Sequence, residues 1–140
     1  MKKVMLIGET GAGKSSLVRA LSGGEFVPRR GMAVEYYGRF INTPGEFLEN
    51  RRFYYALITT AADCDLLLMV QDATRSTSLF PPRFAPIFNR RVVGVISKSD
   101  APEARFSRAE QFLLSAGARE IVRASVVSPD GLDALKTVLS

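Results

Sequence analysis

The 140-residue chain contains no histidine and a single cysteine, Cys64. Without histidine there is neither Ser-His catalysis nor a His-containing zinc site, and one cysteine cannot close an intrachain disulfide. These absences fit a reducing, cytoplasmic compartment. No stretch approaches the roughly 18 apolar residues of a membrane span. Lys2-Lys3 ahead of "VMLI" imitates the start of a signal peptide, but the apolar run gives way at once to a glycine loop. Blocks of like charge are missing too. The 19 basic and 14 acidic residues leave a net charge of +5, and Arg29-Arg30, Arg51-Arg52 and Arg90-Arg91 are isolated pairs. Such a balance favours anionic partners in general. With no aromatic residues interleaved among the basic pairs, a nucleic-acid surface is not expected. There is no internal repeat and no low-complexity tract.

What is present fits one domain over residues 1–140, since 46% hydrophobic content fills one ordinary core. Four apolar runs stand out: "VMLI" (4–7), "LLLMV" (66–70), "VVGVI" (92–96) and "IVRASVV" (121–127). Their continuous apolar character implies burial on both faces, as in a parallel sheet covered by helices. Helical stripes lie between them: Phe106, Ala109, Leu113 and Ala116 form one, and Leu132, Leu135 and Leu139 another. The last helix is expected to start with Ser128 as N-cap and Pro129 in its first turn. A further helix is expected from about Glu46 to Ala62, with Tyr54, Leu57 or Ile58, and Ala61 facing inward. Strands alternating with helices predict a doubly wound α/β sheet, whose ligands sit at the carboxyl ends of the strands.

Directly after the first run comes Gly8-Glu9-Thr10-Gly11-Ala12-Gly13-Lys14-Ser15, a full G-x-x-x-x-G-K-S/T match. Its glycines let backbone N–H groups wrap a phosphate, and the helix that follows, with Ser16 in its first turn, adds a positive end. Lys14 is the residue expected to reach the β and γ phosphates, and Ser15 the hydroxyl expected on Mg²⁺. A chance match in a chain of this size is on the order of one in two hundred.

After the third run comes Ser97-Lys98-Ser99-Asp100, close to the N/T-K-x-D pattern by which GTPases read guanine. Guanine presents adjacent N1–H and N2–H₂ donors that one carboxylate accepts together, and adenine does not. Asp100 is that carboxylate, the Lys98 stem lies along the base, and Ser97 is expected to tether this loop to the phosphate loop. The competing reading makes Asp100 the start of the helix after Pro102. Ser125 and Val126, at the end of the fourth run, stand where GTPases place a backbone contact to the guanine oxygen.

With these residues assembled, the chain resembles the P-loop family of ethanolamine- and propanediol-utilisation proteins, EutP/PduV. The likeness runs nearly end to end through "MLIGETGAGKSSL", "AVEYYGRFINTPGEFLENRRFYYALITTAAD", "VQDAT", "VVGVISKSD" and "SAGAREI". The resemblance implies a three-layer, Ras-like P-loop fold, a guanine nucleotide (GTP or GDP) with Mg²⁺ as ligands, and operons for bacterial microcompartments. Some members have been linked to acetate phosphorylation. A mostly parallel sheet of about five strands is expected. Because 28 positions separate Lys14 from Asn42, the edge strand should be reduced or missing.

The pattern breaks at two places. Where the family usually writes D-T-P-G-E, this chain has Asn42-Thr43-Pro44-Gly45-Glu46, and Arg30-Gly31-Met32-Ala33-Val34-Glu35 replaces a K-T-Q-A-V-E run. No Thr lies between Thr10 and Thr43, and no Asp precedes Asp63. An Asn carbonyl can still accept from a metal-bound water, but without charge; losing such a partner typically costs about 10 to 100-fold in metal affinity or activity. Gly45 is expected to offer its N–H to a γ phosphate. Glu46 has two readings, a catalytic group orienting water or a first-turn Glu complementing the helix dipole. Arg29 or Arg30 as a cis arginine and Asp72 as a replacement carboxylate are further candidates, each set against an ordinary loop or strand-end role. Tyr36, Tyr37, Phe53, Tyr54 and Tyr55 flank these segments as packing residues or a partner surface.

The leading expectation is a guanine-nucleotide-binding protein, monomeric or weakly dimeric, with weak or partner-dependent GTP hydrolysis. The alternatives are a non-catalytic interaction module docking on a microcompartment protein, and a nucleotide-dependent small-carboxylate (acetate) kinase, for which the sequence shows no acceptor constellation.

Overall fold

A computed structural model describes residues 2–22, 29–31, 34–128 and 130–140, the side chains of 29–31 excepted. The strands are β1 (Val4–Gly8), β2 (Arg29–Gly31), β3 (Val34–Tyr37), β4 (Phe40–Asn42), β5 (Leu66–Asp72), β6 (Arg91–Ser97) and β7 (Glu120–Arg123). They form one sheet in the order β2-β3-β4-β1-β5-β6-β7. β4, β1, β5, β6 and β7 run parallel, while β2 and β3 pair antiparallel at one edge. The mostly parallel, helix-flanked sheet is the expected one, and its outermost edge strand, β2, is reduced to three residues. The sheet has seven strands instead of about five because β2, β3 and β4 are so short that all three fit between the glycine loop and Thr43.

Alternate residues of the central strands feed two cores. Val4, Leu6, Leu66, Leu68, Val93 and Val95 pack with Leu17 and Val18 of α1 (Lys14–Leu21) and with Leu135 and Leu139 of α5 (Asp133–Leu139). On the other face Met5, Ile7, Leu67, Met69 and Ile96 meet Leu57 and Ala61 of α3 (Tyr54–Ala61) and Ala109 and Leu113 of α4 (Phe106–Ser115). β1 and β5 are buried from end to end, which is why their sequences show no alternation.

Three expected boundaries move. The helix over Glu46 to Ala62 is broken into α2 (Glu46–Glu49), a 3₁₀ turn at Arg51–Phe53, and α3. Asn50 is extended there (φ −121°, ψ 113°), and its side chain accepts from the Arg52 N–H, so the chain restarts instead of continuing. Within α3 it is Leu57 that turns inward, while Ile58 stays partly exposed. The fourth strand ends at Arg123, and the last helix begins at Asp133 instead of near Ser128. A turn intervenes in which Gly131 donates to the Ser128 carbonyl while Ser125 donates to that of Gly131 (3.2 and 3.0 Å). A Cβ on Gly131 would lie 2.3 Å from the Ser125 carbonyl oxygen, so only glycine allows this approach. Pro129 lies outside the described residues.

Candidate functional site

Three loops meet at the carboxyl ends of the central strands: the one after β1, the turn after β4, and the one after β6. The loop after β1 is built on two left-handed glycines, Gly11 (φ 82°) and Gly13 (φ 101°), the latter just ahead of α1. Gly8 is held tight against β5, where a Cβ would lie 2.7 Å from the Val70 carbonyl oxygen. Lys14 is buried and curls back, donating from Nζ to the Gly8 and Glu9 carbonyls (2.8 and 2.9 Å). Burial lowers its pKa to about 8, with Glu49 and Glu9 opposing the shift and Arg75 adding to it. Ser15 is exposed at the start of α1.

The loop after β6 is tied to this one. Ser97 Oγ donates to the Ala12 carbonyl oxygen at 2.6 Å, as the expected tether does. Lys98, itself left-handed (φ 56°), donates from Nζ to the Gly11 carbonyl (2.9 Å) and to Asp72 Oδ2 (2.8 Å). Asp72 is therefore spent on this loop: it also accepts from the Thr74 N–H and hydroxyl (2.8 and 2.6 Å). Burial alone would push its carboxyl up, but the Lys98 and Thr74 hydrogen bonds outweigh it and hold the pKa below the ordinary value.

Asp100 starts no helix; α4 begins only at Phe106. Its Oδ1 accepts from Ser125 Oγ at 2.5 Å, and Asp100 faces a cavity of about 180 Å³. Gly13, Ser16, Ser97, Lys98, Ser125 and Val126 share that cavity, so residues chosen from three separate motifs line one space.

The turn after β4 lies directly on the glycine loop. A Cβ on Gly45 would come within 2.3 Å of the Thr10 nitrogen, so the two backbones touch. Thr43 Oγ1 donates to the Leu6 carbonyl (2.7 Å), fixing the turn to β1. Glu46 is exposed at the first position of α2; the carboxylate that reaches the loop is Glu49, whose Oε2 accepts from the Thr10 N–H at 2.8 Å. That backbone hydrogen bond lowers the Glu49 pKa. Asn42 is buried and donates from Nδ2 to Ser15 Oγ (3.0 Å) and Glu35 Oε1 (3.3 Å), while its Oδ1 has no partner among the described residues.

Arg75, which the motifs did not single out, stands over the glycine loop from the segment after β5. It pairs with Glu9 Oε2 and donates to the Thr10 carbonyl (2.7 Å), with Nε 3.8 Å from Asp72 Oδ2. The signal available for it was its place just past a parallel strand's carboxyl end. The side chains of Arg29 and Arg30 lie outside the described residues. Cys64 is buried, and burial pushes its thiol up to about 11, which leaves it no nucleophilic role.

No group of three or more Asp, Glu or Cys residues among the described residues could hold a metal by itself. Magnesium, however, takes only one or two protein oxygens beside substrate phosphates. An exposed Ser15 hydroxyl bonded to the Asn42 amide, whose buried Oδ1 is left without a partner among the described residues, fits that demand. No helix among the described residues is long and apolar enough to cross a membrane.

Comparison with known proteins agrees with this architecture. The family model described as "Ethanolamine utilisation - propanediol utilisation" matches residues 1–140. The chain is 37% identical to the propanediol utilization protein PduV of Citrobacter freundii, over 95% of this chain and 89% of that protein. It is 38% identical to a protein of Escherichia coli K12 named probable acetate kinase EutP, over 86% of this chain and 77% of the relative. A more distant likeness, 36% over 51% of this chain and 28% of the other, is to the GTPase Era of Agrobacterium fabrum. By the full-length family match and these relatives, the chain belongs to the PduV-EutP family of ethanolamine- and propanediol-utilisation proteins.

Proposed function

We propose that this chain binds a guanine nucleotide, phosphates in the loop Gly8–Ser15 and base in the cavity at Asp100, and hydrolyses GTP slowly or only with a partner. The observation that carries the reading is the single cavity shared by Gly13, Ser97, Lys98 and Asp100 and joined to the phosphate loop by the Ser97–Ala12 bond. Asp100 would accept both guanine donors, and Ser125, already bonded to it, fixes the carboxylate's orientation. The likeness to the GTPase Era supports the same nucleotide.

In this reading Lys14 leaves the loop carbonyls to meet the β and γ phosphates, and Gly45 offers its N–H from a turn already in contact with Thr10. Magnesium, when bound at Ser15, supplies neutralisation of charge on the phosphate oxygens. Neutral Asn42 holds it less firmly than a carboxylate would, which argues for slow turnover. Glu46, exposed and off the loop, is left with the helix-start role; a water-orienting part for it requires the turn to move.

Phosphoryl transfer to a small carboxylate is a second reading, favoured by the name of the EutP relatives. Arg75, over the loop and donating to the Thr10 carbonyl, is a cation such an acceptor could meet. A microcompartment protein is a partner consistent with the family, and the half-exposed rim of Tyr54 and exposed Tyr55 is a surface it could use.

Calorimetric titration with GTP, GDP and ATP, with and without Mg²⁺, tests the proposal. GTP and GDP should bind at micromolar concentration or below, with ATP at least ~100-fold weaker. If no nucleotide binds at high micromolar concentration the proposal fails, and a preference for ATP removes the role given to Asp100. Acetyl phosphate formed from GTP or ATP and acetate would establish the second reading.

A further inference from the structure

Asp72, the aspartate that could have replaced the missing carboxylate at position 42, is taken up by Lys98 and Thr74, but the sheet brings a glutamate to that position. β3 runs antiparallel to β4, and its register sets Glu35 directly opposite Asn42. Directly opposed residues of an antiparallel pair project from the same face of the sheet. That face carries α1: Tyr37, two residues on from Glu35, packs in the core with Leu17 and Val18. Glu35 is thereby aimed at the start of α1, where Ser15 stands.

The hydrogen bonds agree with that placement. One amide group, Asn42 Nδ2, donates to Ser15 Oγ at 3.0 Å and to Glu35 Oε1 at 3.3 Å. A hydroxyl oxygen and a carboxylate oxygen thus converge on a single positively polarised NH₂. The other end of the amide, Oδ1, is buried without a partner among the described residues, and Asn42 as a whole is only 5% exposed. Leaving such an oxygen without a donor is unfavourable, and a water molecule carried on a cation is a donor it lacks.

Resting on the guanine-nucleotide reading above, we propose that Glu35 is the protein carboxylate of the magnesium site, reaching it from the neighbouring strand. Ser15 contributes the hydroxyl and Glu35 the formal charge, and the Asn42 amide turns over so that Oδ1, in place of the NH₂ that now faces them, accepts from a metal-bound water. The donor set is oxygen only, with one carboxylate, as magnesium bound with a nucleotide requires. With an amide at 42, Glu35 is the carboxylate of this opposed pair, and Asn42 bonds to it.

The test compares the full-length wild type with Glu35→Gln, Glu35→Asp and Glu35→Gln/Asn42→Asp by calorimetry with GDP, in EDTA and in Mg²⁺. Wild-type affinity should rise with Mg²⁺. Glu35→Gln, which has the same shape, should bind GDP in EDTA as the wild type does but need about 10 to 100-fold more Mg²⁺ for the same enhancement. Glu35→Asp, keeping the charge on a shorter arm, should fall between the two and gives the reading if the Gln variant does not fold. The double variant should recover most of the loss, because the Asn42→Asp change returns the charge. Unchanged Mg²⁺ dependence in Glu35→Gln overturns the proposal, and so does an equal loss of affinity in EDTA. A wild type that binds GDP without any response to Mg²⁺ overturns the metal site alone. A wild type that binds no guanine nucleotide under either condition overturns the nucleotide reading together with it.

Discussion

Ser97 Oγ donates to the Ala12 carbonyl oxygen at 2.6 Å, and this bond joins the glycine loop after β1 to the proposed base loop across 85 positions of sequence. Ser97 is buried, so the Ser97→Ala change strands a carbonyl that water reaches poorly. Leaving a buried acceptor unsatisfied costs about 1 to 3 kcal/mol. The expected result is a loss of stability of that size in denaturant titration, with guanine-nucleotide affinity lowered about 10-fold as the two loops move independently. Unchanged affinity would mean that Lys98, bridging Gly11 and Asp72, holds the loops together by itself.

Lys14 gives the pH dependence. With a pKa near 8 in the folded chain against 10.5 for a free lysine, the unfolded chain holds more protons between those values, so this group makes stability rise from about pH 8 to 10.5. Polyphosphate beside the ammonium favours its charged form, so nucleotide binding should take up about three-quarters of a proton at about pH 8.5, and affinity should fall as pH rises further. Calorimetry in two buffers of different ionisation enthalpy measures that proton. Lys14→Arg, which does not titrate in this range, should abolish the uptake; uptake that persists belongs to another group.

How much of this was legible in the sequence divides along the range of the interactions. The glycine loop is local, eight consecutive residues between a strand and a helix, and so its form could be read directly. The SKSD loop needed one step more, the parallel topology that places consecutive strand ends side by side. Arg75 offered only its place past a strand end, and Glu49 and Glu35 offered no such signal, since each reaches the loop or the Ser15 end of α1 from a different segment, and pairings of this kind appear only once sheet order and register are known. The helix expected over Glu46 to Ala62 concealed a break for the opposite reason. Apolar spacing survives an interruption, whereas the event that causes it is a single side-chain bond from Asn50 to Arg52 N–H.

Arg75 pairs with Glu9, a residue only 5% exposed whose Oε1 has no partner among the described residues. Removing the guanidinium leaves a buried carboxylate without its cation, a change that costs about 3 to 5 kcal/mol in fully buried pairs. Arg75 is itself 39% exposed, so solvent screening reduces the expected loss for Arg75→Ala to about 1 to 2 kcal/mol. Glu9→Gln should remove most of that loss when combined with it, which a double-mutant cycle in urea measures. Additive effects would show that the pair is not coupled.

Glu49 holds the Thr10 N–H at 2.8 Å, one of the backbone donors a phosphate would use, and Gly45 presses on the same nitrogen. A carboxylate there competes with an anionic ligand both for the donor and by charge. Glu49→Gln keeps an oxygen in place but removes the charge, and hydrogen bonds to ionised acceptors are roughly twice as strong as neutral ones. Because Glu49 lies at the surface, screening limits the effect to about 3 to 10-fold tighter GDP binding, larger at low salt than at high. Gly45→Ala acts on the same contact by shape, forcing the turn off Thr10, and should also free the donor. The two variants differ in what they do to GTP. Glu49→Gln leaves the Gly45 turn in place and should tighten GTP and GDP alike, whereas Gly45→Ala displaces the N–H offered to the γ phosphate and should favour GDP over GTP. Weaker GDP binding in Glu49→Gln would show that its carboxylate organises the loop for the ligand instead of competing with it.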